Sequence, residues 1–231
     1  YDSKDLKHGA LLNFLSSLSG KDGNKFSVIT TNYDVLIEEA AAENNFVIFD
    51  GFNFTPLPKF DSNMFEWNLV KEVPNVNTRE VEYKDKTFNL VKIHGSLTWE
   101  QEGDEIVRKD KSHIKEPTML FPSSNKYMQS YERPYFELFS KFQALLRKQN
   151  TVLITTGFSF ADNHISQMII QALKTVPSLS ILVTDFNISP ENPNENWKEL
   201  LNLMEQDYSI SFLQTTMNTD LTDYFVKGDS K

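Results

Sequence analysis

The chain has 231 residues, a formal net charge of −9, 39% hydrophobic residues and no cysteine. The acidic balance argues against a surface devoted to nucleic-acid phosphates, and the missing cysteines exclude disulfides, a thiol nucleophile and a Cys-based zinc site within these residues. Because no apolar run approaches the ~20 residues of a membrane span and no basic-then-apolar leader opens the sequence, we expect a soluble, cytoplasmic protein.

The first part of the chain predicts a helix, a strand, a second helix and a second strand. Leucines at helical spacing indicate a helix over residues 6–18, and the β-rich run 26–31 predicts a strand. Helix formers follow over residues 34–43 from a plausible N-cap, before a short strand at 46–49.

Residues 51–87 are rich in Pro, Asn and aromatic residues with weak periodicity, which predicts an irregular insertion. Its aromatic side chains form either a satellite core or an interface: Phe52, Phe54, Phe60, Phe65 and Trp67. A strand is predicted at 88–93, and a hairpin over 97–107 turns at the EGDE stretch of residues 102–105.

The remaining residues again alternate between helix and strand patterns. A helix over 131–148 is predicted to place these side chains on one apolar face: Phe136, Phe139, Phe142, Leu145 and Leu146. Strands are then predicted at 151–156, 179–184 and 209–213. Helices are predicted at 163–174, 197–205 and 218–226.

This alternation predicts an α/β fold. The near-continuous apolar strands VLIT and ILVT indicate a Rossmann-like, mostly parallel sheet with helices on both faces. In such sheets ligands bind at the carboxyl ends of the strands.

Polar and small residues follow three of the predicted strands. These segments are ITTNYD at 29–34, KIHGS at 92–96 and TGFSFAD at 156–162. Gly95 and Gly157 would let a ligand approach the backbone closely. Because the three segments end parallel strands, we expect them to meet around one ligand.

Each segment also has a purely structural interpretation. The Thr-Asn-x-Asp cluster at 31–34 is typical of helix capping, and His94 alone is typical of a hydrogen-bonded structural histidine. Ser159 and Asp162 would then be a turn and a cap, with His164 on the helix surface. If Asp162 instead ends a ligand loop, the following helix directs free N–H groups toward a phosphate.

The three motifs together resemble those of the SIR2-like NAD-binding proteins, especially the bacterial branch found in anti-phage defence. The resemblance runs from about Lys25 to Phe212. It implies that residues 1–231 form an NAD-binding catalytic domain, with 51–87 as an insertion. It also implies that NAD⁺ is the substrate.

The resemblance assigns a role to several residues. It implies that Asn32 positions the attacking water or a ribose hydroxyl, that Asp34 orients the nicotinamide end, and that His94 takes a proton. Thr31 stands where sirtuins usually have Gln.

The same resemblance extends to the third strand end. Gly157 and Ser159 match the Gly-Thr-Ser-type turn that contacts the cofactor, and Gly95 and Asp162 complete the expected NAD-binding residues. The Gly-Ala-Gly-type pyrophosphate loop is not in these residues, so we expect it upstream of Tyr1.

The chain departs from the sirtuin deacylases because the absence of cysteine leaves no four-cysteine zinc module. We expect no metal, since the four histidines lack ligand spacing. Water is therefore the expected acceptor, giving an NAD⁺ glycohydrolase that releases nicotinamide and ADP-ribose.

Two alternatives remain open at this stage. One is an NAD-dependent deacylase or ADP-ribosyltransferase, and the other is an NAD or ADP-ribose binding subunit without turnover. The expected partners, besides NAD⁺, are further copies of the chain or a partner ATPase or sensor protein.

Overall fold

The structure is a computed structural model that describes residues 8–19, 23–73, 81–120, 132–216 and 221. The described residues divide into two compact units, the first spanning 8–140 and the second beginning at residue 141. The division falls inside the helix that covers Tyr135–Arg147.

The first unit contains two helices, eight strands and two 3₁₀ turns within its described residues. In chain order they are α1 (His8–Leu18), β1 (Phe26–Thr30), α2 (Leu36–Glu43), β2 (Val47–Phe49), a 3₁₀ turn (Ser62–Glu66), β3 (Val70–Glu72), β4 (Val81–Tyr83), β5 (Thr87–Lys92), β6 (Gly95–Glu102), β7 (Glu105–Arg108), a 3₁₀ turn (Lys111–His113) and β8 (Pro117–Met119).

A parallel sheet of order β1-β5-β2 lies at the centre of this unit. The register pairs Phe26 with Phe88 and Thr30 with Lys92. The Phe26 and Phe88 rings stack with centroids 5.1 Å apart, and Phe46 meets Phe88 edge-on at 5.8 Å. These contacts fix β1 beside β5, because a one-residue slip would turn every side chain to the other face.

The predicted hairpin is confirmed as β6 and β7, and β8 adds a third antiparallel strand in the order β7-β6-β8. The insertion contributes a satellite core, since Phe52, Phe60 and Phe65 are buried and both Phe52 and Phe60 contact Trp99. Two of its aromatic residues, Phe54 and Trp67, are exposed.

The second unit begins within the helix α3 (Tyr135–Arg147), whose residues up to 140 belong to the first unit. It continues with β9 (Val152–Thr156), α4 (Asn163–Thr175), β10 (Ser180–Asp185), α5 (Glu195–Glu205) and β11 (Ile210–Gln214). Its strands form a second parallel sheet of order β11-β10-β9. Its core includes Phe160 and Trp197, whose rings meet edge-on at 5.8 Å.

The prediction of a Rossmann-like α/β fold is confirmed: helices alternate with parallel strands in both units. The apolar face predicted for α3 is wrong at Phe136, which is 55% exposed, whereas Leu138 is buried. The helix predicted at 218–226 lies outside the described residues except for Leu221. Among the helices that the structure describes, none combines the length and the apolar character needed to cross a bilayer.

Candidate active site

The carboxyl ends of β1 and β5 bring Asn32 and His94 to one edge of the first sheet. The last paired residues of the two strands are Thr30 and Lys92, and the Ile93 N–H donates to the Thr30 carbonyl at 3.1 Å. Asn32 and His94 each lie two residues beyond that pair. Adjacent strands are ~4.8 Å apart, so the two residues emerge side by side.

The loop after β1 exposes the Asn32 side chain. Its backbone is held locally, because the Asn32 N–H donates to Thr30 Oγ1 at 3.1 Å and the Leu36 N–H donates to Asp34 Oδ1 at 3.1 Å. The N-cap of α2 is Val35, which has no capping side chain. Asp34 therefore starts the helix by a turn contact rather than as the predicted N-cap.

Tyr33 anchors this loop to the antiparallel strands. Its hydroxyl donates to the Leu120 carbonyl, and its own carbonyl accepts hydrogen bonds from the Leu97 N–H at 3.0 Å and from Ser96 Oγ at 3.4 Å. The Tyr33 ring lies 6.5 Å from the His94 ring, centroid to centroid.

His94 is buried, with 6% of its surface exposed, and its carbonyl accepts the Leu120 N–H at 2.8 Å. Gly95 follows with a φ of +87°, and a Cβ there would lie 2.2 Å from the Thr118 carbonyl oxygen. The backbone of β8 thus fills the space beside Gly95. This packing explains the glycine without a ligand and leaves its predicted NAD contact unsupported by the geometry.

Lys92 is a buried cation whose role at this strand end is not predicted from the sequence. Its Nζ donates to the Asp34 carbonyl and to Glu38 Oε1, the latter at 2.7 Å. Burial raises the pKa of Glu38, and the Lys92 ammonium opposes that shift. The sequence feature that indicates it is the lysine inside the apolar strand FNLVKI, since a lysine buried in such a strand needs a charged or hydrogen-bonding partner.

A second buried ion pair lies close to the first. Arg108 binds the Asp50 carboxylate, and its guanidinium lies over the Phe52 ring at 5.1 Å. Burial raises the pKa of Asp50, while Arg108 lowers it. Val35, Glu38 and Asp50 all line a cavity of about 710 Å³.

Asp34 also has a histidine within electrostatic range. Burial lowers the pKa of His8, and the Asp34 carboxylate opposes this shift by favouring the charged imidazole. His8 begins α1, so the first helix contributes a titratable group to the neighbourhood of the loop.

In the second unit, the predicted residues Gly157 and Ser159 follow β9. Gly157 has a φ of +62°, and a Cβ there would meet no described atom within 4 Å. Ser159 is exposed, and its carbonyl accepts a hydrogen bond from Asn194 Nδ2 at 2.8 Å. The backbone at Gly157 is therefore open to a ligand.

Asp162 caps α4. Its Oδ1 accepts hydrogen bonds from the backbone N–H groups of His164 at 3.1 Å and Ile165 at 3.3 Å. The capping interpretation therefore describes the observed contacts of Asp162, and its predicted binding to NAD stays a prediction.

The neighbouring strand end at β10 also carries polar chemistry that was not predicted. Asp185 is 9% exposed and accepts the Asn187 N–H at 2.9 Å, while Phe186 between them is 72% exposed. The buried hydroxyls of Thr155 on β9 and of Thr215, directly after β11, have no hydrogen-bond partner among the described residues. The sequence feature that indicates this polar strand end is Asp185, which directly follows the apolar run ILVT.

Within the described ranges, no three His, Asp or Glu side chains cluster in a way that would hold a metal ion. The polar groups described near the β1–β5 edge are therefore an exposed amide, a buried imidazole and the Lys92–Glu38 ion pair.

A Rossmann-like fold with polar loops at the carboxyl ends of its strands is typical of nucleotide-binding domains. A family model described as the SIR2-like domain matches residues 27–213, which covers both parallel sheets. The chain belongs to the SIR2-like domain family. This membership links the chain to NAD. No curated protein matches the chain.

Proposed function

We propose that this SIR2-like domain is an NAD⁺ glycohydrolase that cleaves NAD⁺ to nicotinamide and ADP-ribose. The observation that carries the proposal is the register of β1 and β5, which brings Asn32 and His94 to the same edge two residues beyond Thr30 and Lys92.

The reaction makes modest demands on the protein. Nicotinamide leaves NAD⁺ as a neutral molecule from a cationic ribosyl linkage, so no acid is needed for the leaving group, and the sugar develops oxocarbenium-like charge. The protein has to orient the ribose and its acceptor and to remove one proton.

Asn32 and His94 fit those two tasks. The exposed Asn32 carboxamide offers both a donor and an acceptor to hold a water or a ribose hydroxyl. The His94 imidazole, buried beside Tyr33, would accept the proton, since one ring nitrogen of a neutral imidazole is a hydrogen-bond acceptor.

The remaining predicted residues would bind the rest of NAD⁺. Thr31 and Asp34 would contact the nicotinamide ribose side, and Gly157 and Ser159 the cofactor backbone. The open space at Gly157 supports this assignment. Residues 1–231 would then form one catalytic domain with 51–87 as its insertion.

Water is the proposed acceptor because the 231 residues contain no cysteine and so cannot build a four-cysteine zinc module for an acyl-peptide cleft. The motif resemblance to the bacterial defence branch supports a role as an anti-phage effector that depletes NAD⁺. Such an effector would act in a homo-oligomer or with a partner ATPase or sensor protein.

The test is nicotinamide release by the full-length protein in its active assembly. Asn32→Ala and His94→Ala should each lower kcat by about 10²- to 10⁴-fold, as expected for loss of an acid–base or orienting group. The exposed residues Asn202 and His113 provide matched controls, Asn202→Ala and His113→Ala, that should retain wild-type turnover.

Three outcomes would contradict the proposal. Undiminished turnover in both site variants would remove the assigned roles. Tight NAD⁺ binding without turnover would indicate a binding subunit, and release that depends on an added acyl-lysine peptide would indicate a deacylase.

A further inference from the structure

Lys92 ends β5 with an ammonium group that is almost completely shielded from water. Its side chain is 1% exposed, and its partner in the sheet register is Thr30, the last residue of β1. A buried charge is costly unless it is paired and hydrogen-bonded, so its contacts must hold it in place.

Those contacts join three elements. The Lys92 ammonium donates to the backbone carbonyl of Asp34, in the loop after β1, and to Glu38 Oε1 of α2 at 2.7 Å. The Glu38 side chain is 25% exposed. One cation on β5 therefore binds both the loop and the helix that follow β1.

We propose that Lys92, with Glu38 as its counter-ion, is a positioning residue that holds loop 31–34 against β5 and so keeps Asn32 beside His94. The catalytic meaning of that position rests on the proposed function. In this assignment Lys92 acts through the Asp34 carbonyl and does not contact the substrate.

Two backbone amides can report on the loop. The Leu36 N–H donates to Asp34 Oδ1 at 3.1 Å, and the Leu97 N–H donates to the Tyr33 carbonyl at 3.0 Å. If Lys92 holds the loop, its loss should expose these amides to exchange with solvent.

The variants separate positioning from stability. Lys92→Met leaves the Glu38 carboxylate buried without its cation, so it should also lower the Tm. The double variant Lys92→Met/Glu38→Leu removes both charges, and an apolar replacement of a buried pair is often neutral or stabilising. Glu38→Gln keeps the bond from Lys92 to Asp34. Lys71→Met is the matched control, because Lys71 pairs with Glu82 at 3.0 Å on the surface.

Hydrogen–deuterium exchange at the amides of residues 31–36 and of Leu97 is the decisive measurement, and each variant is measured at the same interval below its own Tm. Exchange should be faster in Lys92→Met and in the double variant, and should stay at the wild-type rate in Glu38→Gln and Lys71→Met. Wild-type exchange in the double variant would overturn the proposal.

Nicotinamide release gives an independent readout. In the double variant kcat should fall by about 10- to 100-fold, because small misplacements of a reacting group cost that much, and KM for NAD⁺ should change less. A double variant that has both the Tm and the kcat of the wild-type protein would also overturn the proposal. If the wild-type protein releases no nicotinamide, the proposed function fails, whereas the exchange experiment still decides the role of Lys92.

Discussion

The two parallel sheets differ in how their carboxyl edges are built. At the β1–β5 edge the buried ammonium of Lys92 binds the Asp34 carbonyl and the Glu38 carboxylate, and Asn32 and His94 each lie two residues beyond the last strand pair. At the edge of the second sheet the polar side chains cap helices, as Asp162 and Asn194 do. The second edge adds an open glycine and an exposed aromatic ring at Phe186.

On the proposed function, the two edges have separate tasks: the first would position the reacting groups and the second would bind the rest of NAD⁺. The contacts of Lys92 hold the main chain at the first edge, whereas the second edge offers an open backbone at Gly157.

The largest effect should distinguish chemistry from binding. His94→Gln should lower kcat by about 10²- to 10⁴-fold because it removes the proton acceptor. Gly157→Ala should raise KM for NAD⁺ by about tenfold with little change in kcat, because an added Cβ would occupy the open space that the proposed function gives to the cofactor. Steady-state nicotinamide release measures both. A common shift in the same parameter would contradict the separation.

Each sheet should depend on its own buried ring. Phe88→Ala in the first unit and Phe160→Ala in the second should each lower the free energy of unfolding by about 3–5 kcal/mol, because both side chains are fully buried. Urea denaturation measures the change. Phe136→Ala is the control, since this ring is 55% exposed, and it should cost less than about 1 kcal/mol.

Loss of a cap at the second edge should have a moderate effect. Asp162→Ala removes the acceptor for two backbone N–H groups of α4 and should cost about 1 kcal/mol of stability. Ser159→Ala, which changes an exposed hydroxyl nearby, should cost less than about 0.5 kcal/mol. Thermal denaturation of both variants checks the difference, and equal losses would argue against the capping role.

The smallest effect concerns the acid response of the first unit. A hydrogen bond from Lys109 and the N–H groups of Lys115 and Glu116 lower the pKa of Glu100 from 4.5 to about 2. Below pH 4.5 the unfolded chain takes up this proton first, so the contribution of Glu100 to stability is lost as the pH falls toward 2.

Glu100→Gln should therefore lower the Tm above pH 4.5. As the pH is lowered from 4.5 to about 2, the Tm of this variant should decrease less than that of the wild-type protein. Melting curves of the two proteins in the same buffers measure the difference. Tm profiles that run parallel over this range would show that Glu100 does not carry the acid sensitivity.

The sequence predicts the strand and helix alternation well, because the run 88–93 is buried throughout and the β-rich run 151–156 has a strand pattern although its Val152 is 65% exposed. It also locates the hairpin of β6 and β7 from its EGDE turn. It does not predict β8, whose three residues Pro117–Met119 are too short to show a pattern and pair with a strand distant in sequence.

For the candidate site, the sequence predicts that Asn32 and His94 lie at one edge of the sheet, because the carboxyl ends of parallel strands lie at the same edge. It misses Lys92, since a lysine in a strand is ordinarily solvent-exposed and only the distant Glu38 and the Asp34 carbonyl make its burial possible. It does not predict the packing of Gly95 against β8, because the nearby Thr118 carbonyl belongs to a strand that shows no pattern, and the NAD contact of Gly95 stays a prediction.

The close packing of Gly95 against β8 restricts the main chain next to His94. The main chain is hydrogen-bonded on both sides of His94, because the Ile93 N–H donates to the Thr30 carbonyl and the His94 carbonyl accepts the Leu120 N–H. A Cβ at position 95 would lie 2.2 Å from the Thr118 carbonyl oxygen, so any larger residue there would displace either β8 or the backbone that carries the imidazole. The side-chain hydrogen of this glycine thus sets the clearance between the imidazole's backbone and the neighbouring strand.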